Sequence, residues 1–438
     1  MNLQRSYAAT VVIAALVLAA SACSVGGTEQ GSNKIRGATI TVALGNSPPK
    51  APLRAFEKRT GIHVKWVTLD WDSLQTKISA AATSKTYFAD ATDVDWSRVG
   101  QLGKLGWFQP LESRMNTKSM RRDMPQLSSF TSAKHVVGIP YDASFMVTTV
   151  NRKMFAEAGI TKMPTTHDEY VKDLEAVKSK GVVEHPLNIP FAAAEGLSTY
   201  WYQATGAFGG TILNGAGKPQ FTSPGSPGYK AAQWMVGALK DGLVPPGNIN
   251  VTDSQGQQTL MAKGSVASTF SDYSGNVGTL YNVPASSKVV NQVAYLPTPA
   301  VDGPGPNLSN PDGIGIPREA KYPAAAAKFI EWFTASQNQI DFAGVNGPTK
   351  VLPGYNMPSR VSAIKEMTAK GKLIAGAQLT SMLQDKSRPV FPQGAPTWYP
   401  EFSRAVYTNL HAAATGSETV ATAIHKIAGT ADKLRSNG

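Results

Sequence analysis

The feature that most constrains the fold is a regular alternation of short strand patterns and amphipathic helix patterns. Residues 38–44 are almost wholly apolar or β-branched, a Gly-Asn-Ser-Pro-Pro loop follows at 45–49, and Leu53 and Phe56 then give a predicted helix its apolar face. A second strand pattern over 62–66 completes a βαβ unit. Continued along the chain, this alternation predicts mainly parallel sheets flanked by helices.

Several helix ends carry recognisable signals. Gly61 is a predicted left-handed cap, and Gly181 is predicted to end a longer helix. Thr166 and Glu169 have the spacing of a capping box at the start of that helix. Pro323 suits a helix first turn. Further helices are predicted at residues 231–239, 255–263 and 324–333.

Ligands of open α/β sheets bind beyond the carboxyl ends of the strands. The first predicted strand is followed by Asn46 and Ser47, and a later one, over residues 91–94, is followed by Asp95 and Trp96. These four residues are therefore candidates for a binding site on the fold pattern alone.

The N-terminal segment predicts export. Arg5 precedes an apolar run at 11–20, which is too short to span a bilayer as a helix and is typical of a cleaved signal. The tetrapeptide ending at Cys23 resembles the bacterial lipobox, without the usual leucine at its first position. We therefore predict a signal peptide at 1–22 and a lipidated N-terminus with a flexible polar linker at 23–35.

Cys23 is the single cysteine of the chain, so no internal disulfide can form. Lipidation there would tether the protein to the outer face of the cytoplasmic membrane. The alternative is a plainly secreted protein whose cysteine is removed or idle. The roughly 400 residues beyond the linker are too many for one hydrophobic core, so two domains are expected.

The chain is basic, with 42 Lys and Arg against 30 Asp and Glu and a formal net charge of +12. The basic residues are spread along helices, as at 172–180, whereas a nucleic-acid binder would concentrate them in one stripe or arm. Two explanations remain open: general attraction to an anionic cell envelope, and an anionic ligand.

Enzyme motifs are missing from the sequence. The six histidines form no H-E-x-x-H pattern, no G-x-S-x-G turn occurs, and the Gly217–Lys218 pair is followed by Pro219 where a phosphate loop needs Ser or Thr. We therefore predict a protein that is not an enzyme and that needs no cofactor and no metal. An envelope enzyme is the rival class, because sequence cannot show whether two carboxylates pair in space.

Five segments, in order, resemble the extracellular solute-binding proteins of ABC importers, specifically their carbohydrate-binding group. They are AFEKRTGIHVKWV from Ala55, DVDWSRVGQLGKLGWFQPL from Asp93, VGIPYDASFMVTTVNRKMFAEAGI from Val137, LMAKGSVASTFSDYS from Leu260 and AAAAKFIEWFTASQNQ from Ala324.

The resemblance implies a periplasmic-binding-protein-like α/β fold, with two lobes, a ligand cleft between them and crossovers near Asp142, Asp312 and Val351. The implied lobes are residues 36–142 plus 313–350 and residues 143–312 plus 351–438.

A sugar site needs planar polar side chains together with aromatic faces, because sugars offer both hydroxyls and flat C–H patches. Positions matching the family's contacts are Asn46, Ser47, Asp95, Trp96, Arg98, Tyr141, Trp201, Tyr202, Asp272, Tyr273 and Trp398. Trp398 is the foremost stacking candidate because TWYPEF, from Thr397, resembles the family segment whose tryptophan stacks on sugar, and its Pro-rich surroundings favour a loop. The alternative for Trp398 is a core position, whereas Trp332 is predicted to pack within its helix.

The resemblance implies a monomeric binding lipoprotein that captures a sugar by hinge closure and passes it to membrane permease subunits. A phosphorylated or anionic solute, such as a glycerol phosphodiester, is the alternative ligand, motivated by the basic charge and Arg98. Asp95 and Asp272 oppose that alternative, since unpaired carboxylates would repel an anion.

Overall fold

The computed structural model describes residues 33–253, 255–342, 357–392 and 394–437. The predicted signal peptide, the lipidation at Cys23 and the predicted crossover near Val351 lie outside these residues. Among the helices of the described part, none combines the length and the apolar character that crossing a membrane requires.

The strands of the described part are β1 (Thr39–Leu44), β2 (His63–Thr68), β3 (Ala91–Asp95), β4 (Thr131–Ser132), β5 (His135–Val136), β6 (Ile139–Asp142), β7 (Met146–Asn151), β8 (Leu187–Asn188), β9 (Ser268–Tyr273), β10 (Val293–Leu296), β11 (Pro299–Ala300), β12 (Gly303–Pro304), β13 (Asn307–Leu308), β14 (Asp312–Gly315) and β15 (Ser387–Arg388).

The α-helices of the described part are α1 (Lys50–Thr60), α2 (Trp71–Ser84), α3 (Val99–Lys104), α4 (Thr117–Met120), α5 (Arg152–Glu157), α6 (His167–Ser179), α7 (Glu195–Ala207), α8 (Pro227–Lys240), α9 (Gln255–Ala262), α10 (Pro323–Phe333), α11 (Ser336–Phe342), α12 (Val361–Ala369), α13 (Gly376–Ser381), α14 (Tyr399–Ala414) and α15 (Val420–Asn437). Short 3-10 turns occur at Pro125–Phe130 and Pro246–Asn250, and π-type turns at Val277–Tyr281 and Met382–Lys386.

Two larger sheets organise the described residues. One has the strand order β2-β1-β3-β14-β6 and the other the order β10-β7-β9-β8. Strand β1 pairs in parallel with both β2 and β3, so that Val42 lies opposite Trp66 on one side and Ala91 on the other. The predicted βαβ unit and the predicted two-lobed α/β class are confirmed.

In each of these sheets, one strand runs against its described neighbours. Strand β14 is antiparallel to β3 and β6, and β7 is antiparallel to β9 and β10. Only residues 143–145 separate β6 from β7, so the chain leaves one sheet and enters the other without a helical return. The reversal of β14 places its first residue, Asp312, opposite Asp95 at the carboxyl end of β3.

Apolar side chains from the helices cover the first sheet on the side of α1 and α10. Ile40 and Ile314 are fully buried there, and the rings of Phe56 and Trp332 stack at 4.6 Å. The prediction that Trp332 packs within its helix region is confirmed. A second cluster includes Trp96 and extends across to residues of the other sheet.

The predicted helix caps are present. Gly61 has φ of 71° and caps α1. The Thr166 hydroxyl accepts the Glu169 N–H at 3.2 Å, while the Glu169 carboxylate accepts the Thr166 N–H at 3.1 Å, which completes the capping box of α6. Pro323 occupies the first turn of α10.

Candidate functional site

A cavity of about 210 Å³ lies between residues that the two larger sheets support. Its lining comes from the ends of strands and the beginnings of helices on both sides. The lining residues are Trp71, Asp72, Asp95, Trp96, Ser97, Ala194, Glu195, Gly196, Thr199, Thr252, Asp253, Tyr273, Asn310 and Asp312.

On the side of the first sheet, Asp95 is the centre of a fixed hydrogen-bond group. Trp71, the first residue of α2, donates its indole N–H to Asp95 Oδ2 at 3.0 Å. Ser97 donates to Asp95 Oδ1 from its backbone N–H at 2.7 Å and also from its hydroxyl. These contacts orient both the carboxylate and the indole ring toward one cavity wall.

Asp93 lies two residues before Asp95 on the same strand and is buried. It accepts hydrogen bonds from Gln75 at 2.7 Å and from the Tyr141 hydroxyl at 3.2 Å. Burial, together with the Asp95 carboxylate, raises the pKa of Asp93 to about 8. Asp93 therefore holds a proton at neutral pH.

Asp312 completes a close group of acids. Carboxylate oxygens of Asp93, Asp95 and Asp312 lie within 4.8 Å of one another. Burial and the two neighbouring acids raise the pKa of Asp312 well above its usual range. An ionised acid only accepts hydrogen bonds, whereas a protonated acid also donates one. A cation beside Asp95 and Asp312 would favour their ionised, acceptor-only form.

On the opposite wall, Glu195 is the first residue of α7. Its carboxylate accepts hydrogen bonds from the Tyr399 hydroxyl and, at 2.8 Å, from the Ser403 hydroxyl. Burial raises the pKa of Glu195, while these hydrogen bonds and the charge of Arg98 oppose the rise. The guanidinium of Arg98 lies 5.5 Å from the centre of the Trp71 ring.

A second aromatic and carboxylate pair lies on the same wall. The Tyr273 hydroxyl donates to Asp253 Oδ2 at 2.9 Å. Asp253 packs closely against Gly196, where a Cβ atom would lie 2.3 Å from the Asp253 Cγ atom. The absence of a side chain at Gly196 is therefore what allows Asp253 to occupy this position.

Trp96 connects the two walls. Its indole N–H donates to Asn310 Oδ1 at 2.9 Å. Its ring lies 5.8 Å from the ring of Tyr399 and 6.5 Å from the ring of Phe391. Trp96, which lines the cavity, thus packs against aromatic residues of α14 and of the segment before it.

The sequence that builds this cavity matches a known family. Residues 44–340 match the sequence model of the family described as bacterial extracellular solute-binding protein. The chain belongs to this family. Membership in an extracellular family identifies the solute-binding protein as exported.

Two relatives illustrate the range of similarity. A putative binding protein of Brucella abortus (strain 2308) is 26% identical over 248 residues, which are 55% of this chain and 55% of the relative, so the match spans about half the length of that relative. The diacetylchitobiose binding protein DasA of Streptomyces coelicolor (strain ATCC BAA-471 / A3(2) / M145) is 23% identical over 393 residues, covering 84% of this chain and 88% of DasA.

Solved structures share the fold of this solute-binding protein. Maltose-bound MalE3 of T. maritima has a TM-score of 0.78 at 20% identity, covering 91% of this chain and 100% of MalE3. An ABC transporter solute-binding protein from Agrobacterium radiobacter K84, in complex with ribitol, has a TM-score of 0.79 at 22% identity, covering 91% of this chain and 99% of its own.

Three of the residues predicted for the site of the solute-binding protein line the cavity: Asp95, Trp96 and Tyr273. Arg98 lies beside it, with its guanidinium on the Trp71 ring. The strand-end argument accounts for Asp95 and Trp96, and the matched aromatic turn accounts for Tyr273.

Asn46, Ser47 and Tyr141 are not among the residues that line the cavity. Asn46 lies in the loop after β1, where its backbone carbonyl accepts the indole N–H of Trp66 at 2.9 Å. Tyr141 is buried in the first sheet and reaches the site only through its hydrogen bond to Asp93.

Trp201 and Tyr202 lie on α7 but are buried instead of facing this cavity. Trp201 donates its indole N–H to the Gly228 carbonyl at 2.8 Å and packs edge-on against Phe221. Tyr202 lines a second cavity, of about 270 Å³. Ten consecutive residues of α7, from Gly196 to Thr205, are buried, so the helix runs through the protein interior.

Asp272 and Trp398 also lie away from the cavity lining. Asp272 is fully buried and accepts hydrogen bonds from Thr149 at 2.6 Å and from Tyr281 at 2.8 Å, among others. Trp398 immediately precedes α14 and packs edge-on against Phe402 at 5.8 Å. Its neighbour, Tyr399, is the residue that reaches the cavity wall.

Sequence reasoning missed several lining residues. They are Trp71, Asp72, Ser97, Ala194, Glu195, Gly196, Thr199, Thr252, Asp253, Asn310 and Asp312. Trp71 and Asp72 follow strand β2, so the same strand-end argument that identified Asp95 would have found them. Asp312 had no strand-end signal, because it begins a strand that runs against its neighbours; the resemblance marked it only as a crossover between the lobes.

Proposed function

We propose that the protein is the substrate-binding component of an ABC importer and that it captures a compact polyhydroxylated solute, a sugar, in the cavity between its two sheets. The observation that carries this proposal is the lining itself: Trp71, Trp96 and Tyr273 supply aromatic faces, and carboxylates and the Asn310 amide supply polar edges. This combination suits a ligand with flat C–H patches and many hydroxyls.

The size of the cavity favours a small ligand. At about 210 Å³ it lies below the roughly 300–1,000 Å³ of pockets that hold drug-sized molecules. The names of related proteins support the same class, since they include binders of diacetylchitobiose, maltose and ribitol.

The division of the site between two walls supports capture by closure. Asp95 and Trp71 are held by the first sheet and α2, whereas Glu195, Asp253 and Tyr273 are held by α7 and the second sheet. A ligand that contacts both groups binds the closed arrangement more tightly and shifts the population toward it. The closed form would then deliver the solute to the permease subunits, with no chemical reaction on the ligand.

Thermal unfolding against a ligand panel tests this proposal. The purified protein is heated with neutral mono- and disaccharides, polyols, amino sugars and sugar phosphates. A ligand at 100 times its Kd stabilises the folded state by about 2.7 kcal/mol. A melting shift with sugars or polyols supports the proposal, a shift only with phosphates supports the anionic alternative, and no shift with any compound refutes the sugar assignment.

Membrane attachment is a second part of the proposal, supported by the sequence around Cys23. A lipidated Cys23 would hold the protein at the outer face of the cytoplasmic membrane. In the host cell, Cys23→Ser is expected to move the protein from the membrane fraction to the soluble fraction. Equal membrane association of both forms would refute lipidation at this residue.

A further inference from the structure

The charge of the cavity is opposite to the charge of the chain. Lys and Arg outnumber Asp and Glu by 42 to 30 in the whole sequence. Among the described residues, the cavity lining nevertheless includes five acids and no Lys, Arg or His, and Arg98 lies beside it on the Trp71 ring. The acids are Asp72, Asp95, Glu195, Asp253 and Asp312. An anionic solute would meet like charge here, so the overall basic charge is not a guide to the ligand.

Four of these acids differ in the hydrogen bonds that they already accept from the protein. Asp95 accepts from Trp71 and Ser97, Glu195 accepts from two hydroxyls, and Asp253 accepts from Tyr273. Within the described residues, Asp312 receives no side-chain hydrogen bond, and its pKa is governed by burial and neighbouring acids alone. Asp312 is thus the acid with the most to gain from a ligand donor.

A neutral hydroxyl and a protonated amine would serve this position differently. A hydroxyl donates a single hydrogen bond and carries no charge, whereas an ammonium group donates three and also offsets the repulsion among neighbouring carboxylates. Asp95 and Asp312 both line the cavity and present oxygens within 4.8 Å of each other, so one ammonium group could reach both. Its charge would favour the ionised form of Asp312, whose pKa is otherwise raised by burial and the neighbouring acids.

The aromatic lining is compatible with positive charge. The Arg98 guanidinium already lies over the Trp71 ring at 5.5 Å, and Trp96 and Tyr273 offer further rings on the same cavity. Aromatic faces attract cations through their quadrupole, and more strongly where water is excluded.

We propose that the solute carries a protonated primary amine beside its hydroxyls, as an unacetylated amino sugar does, and that Asp95 and Asp312 receive this amine. The inference rests on the proposed function and narrows it to a ligand class. It separates amino sugars from neutral sugars, N-acetylated sugars and sugar phosphates.

Calorimetric titration with four matched monosaccharides tests the inference: D-glucosamine, D-glucose, N-acetyl-D-glucosamine and glucose 6-phosphate. We expect D-glucosamine to bind at least tenfold more tightly than the others. Asp312→Asn is expected to remove most of this preference, so that D-glucosamine and D-glucose bind the variant with similar affinity. Asp302→Asn, which changes an exposed carboxylate outside the cavity lining, is expected to keep the preference.

The outcomes distinguish the inference from the proposal on which it rests. Equal or tighter binding of a neutral or N-acetylated sugar overturns the amine assignment and leaves the sugar-binding proposal intact. A preference for D-glucosamine that persists in Asp312→Asn also overturns the assignment. Binding of none of the four overturns both. Melting curves of Asp312→Asn and of a second variant, Asp253→Asn, verify that a lost preference is not lost folding.

The same titration with CaCl2 and MgCl2 addresses a metal as the positive partner of the three acids. The amine assignment predicts no heat of binding from either salt. Saturable binding of a divalent cation that disappears in Asp312→Asn would overturn it.

Discussion

Replacing Asp93 by Asn is expected to flatten the dependence of stability on pH between about pH 4 and pH 8. The usual pKa of an aspartate is 3.8, and in the folded protein burial and the Asp95 carboxylate raise the pKa of Asp93 to about 8. Between these two values the folded state keeps a proton that the unfolded chain releases. The stabilising effect of that proton is therefore complete below about pH 4 and is lost as pH rises toward 8.

The magnitude follows from proton linkage. One proton that is bound only in the folded state lowers the free energy of unfolding by about 1.4 kcal/mol for each unit of rising pH. For a chain of roughly 400 folded residues, 1 kcal/mol corresponds to about 1 °C in melting temperature. From pH 5 to pH 7, Asp93 alone is thus expected to lower the melting temperature by a few degrees at most.

Urea unfolding at pH 5, 6 and 7 measures this contribution directly. Asn keeps the size of Asp93 and one of its acceptor oxygens, so the hydrogen bond from Gln75 or from Tyr141 can persist. Asp93→Asn should lose about 1.4 kcal/mol less stability per pH unit than the wild type. Asp302→Asn, at an exposed position, should follow the wild type. Parallel pH profiles for Asp93→Asn and the wild type would refute the argument.

Three further substitutions have defined outcomes. Trp96→Ala is expected to weaken ligand binding at least tenfold, about 1.4 kcal/mol. Trp398→Ala should weaken binding far less in the same titration. A larger loss in Trp398→Ala than in Trp96→Ala would favour stacking of the ligand on Trp398. Gly196→Ala is expected to displace Asp253, because the new Cβ would lie 2.3 Å from the Asp253 Cγ atom. The affinity for the ligand should fall, while the melting temperature stays near that of the wild type. Unchanged affinity would show that Asp253 is not a ligand contact. Thr166→Ala removes a capping box and should cost about 1 kcal/mol in urea unfolding, with no change in binding.

The fold could be predicted from sequence to a large extent because its signals are local. The βαβ unit depends on periodicity within about 30 residues, and the caps at Gly61, Thr166 and Pro323 depend on single residues beside helix ends. The direction of strand β14 is not local. It depends on which sheet the chain returns to after more than 150 residues of intervening chain between β6 and β14, and no short pattern encodes that.

The difference between local and long-range signals also explains which site residues could be predicted. Asp95 and Trp96 follow a parallel strand, and strand ends of this kind are where open sheets bind ligands. Glu195 and Asp253 begin or precede helices on the other side of the cavity, and nothing near them in sequence indicates that they face Asp95. Asp312 reaches its position only through the reversed strand.

The neighbouring residues Trp398 and Tyr399 show how a one-residue difference redirects a side chain. Both lie at the start of α14, where successive residues point about 100° apart around the helix axis. Tyr399 therefore reaches Glu195, while Trp398 contacts Phe402 and lies close to Gly217. Sequence similarity pointed to Trp398 in this segment, but the helix phase gives the contact with the cavity-lining Glu195 to Tyr399.

Each wall of the cavity carries an aromatic side chain that is already hydrogen-bonded to a carboxylate on the same wall. Trp71 donates to Asp95 on one side, and Tyr273 donates to Asp253 on the other. Because each pair is held before ligand arrives, closure needs little further ordering of these side chains, and ordering a side chain commonly costs about 0.5–1.5 kcal/mol. Under the proposed closure, ligand affinity would derive mainly from contacts between the two walls and the solute, and opening of the walls would be enough to release it.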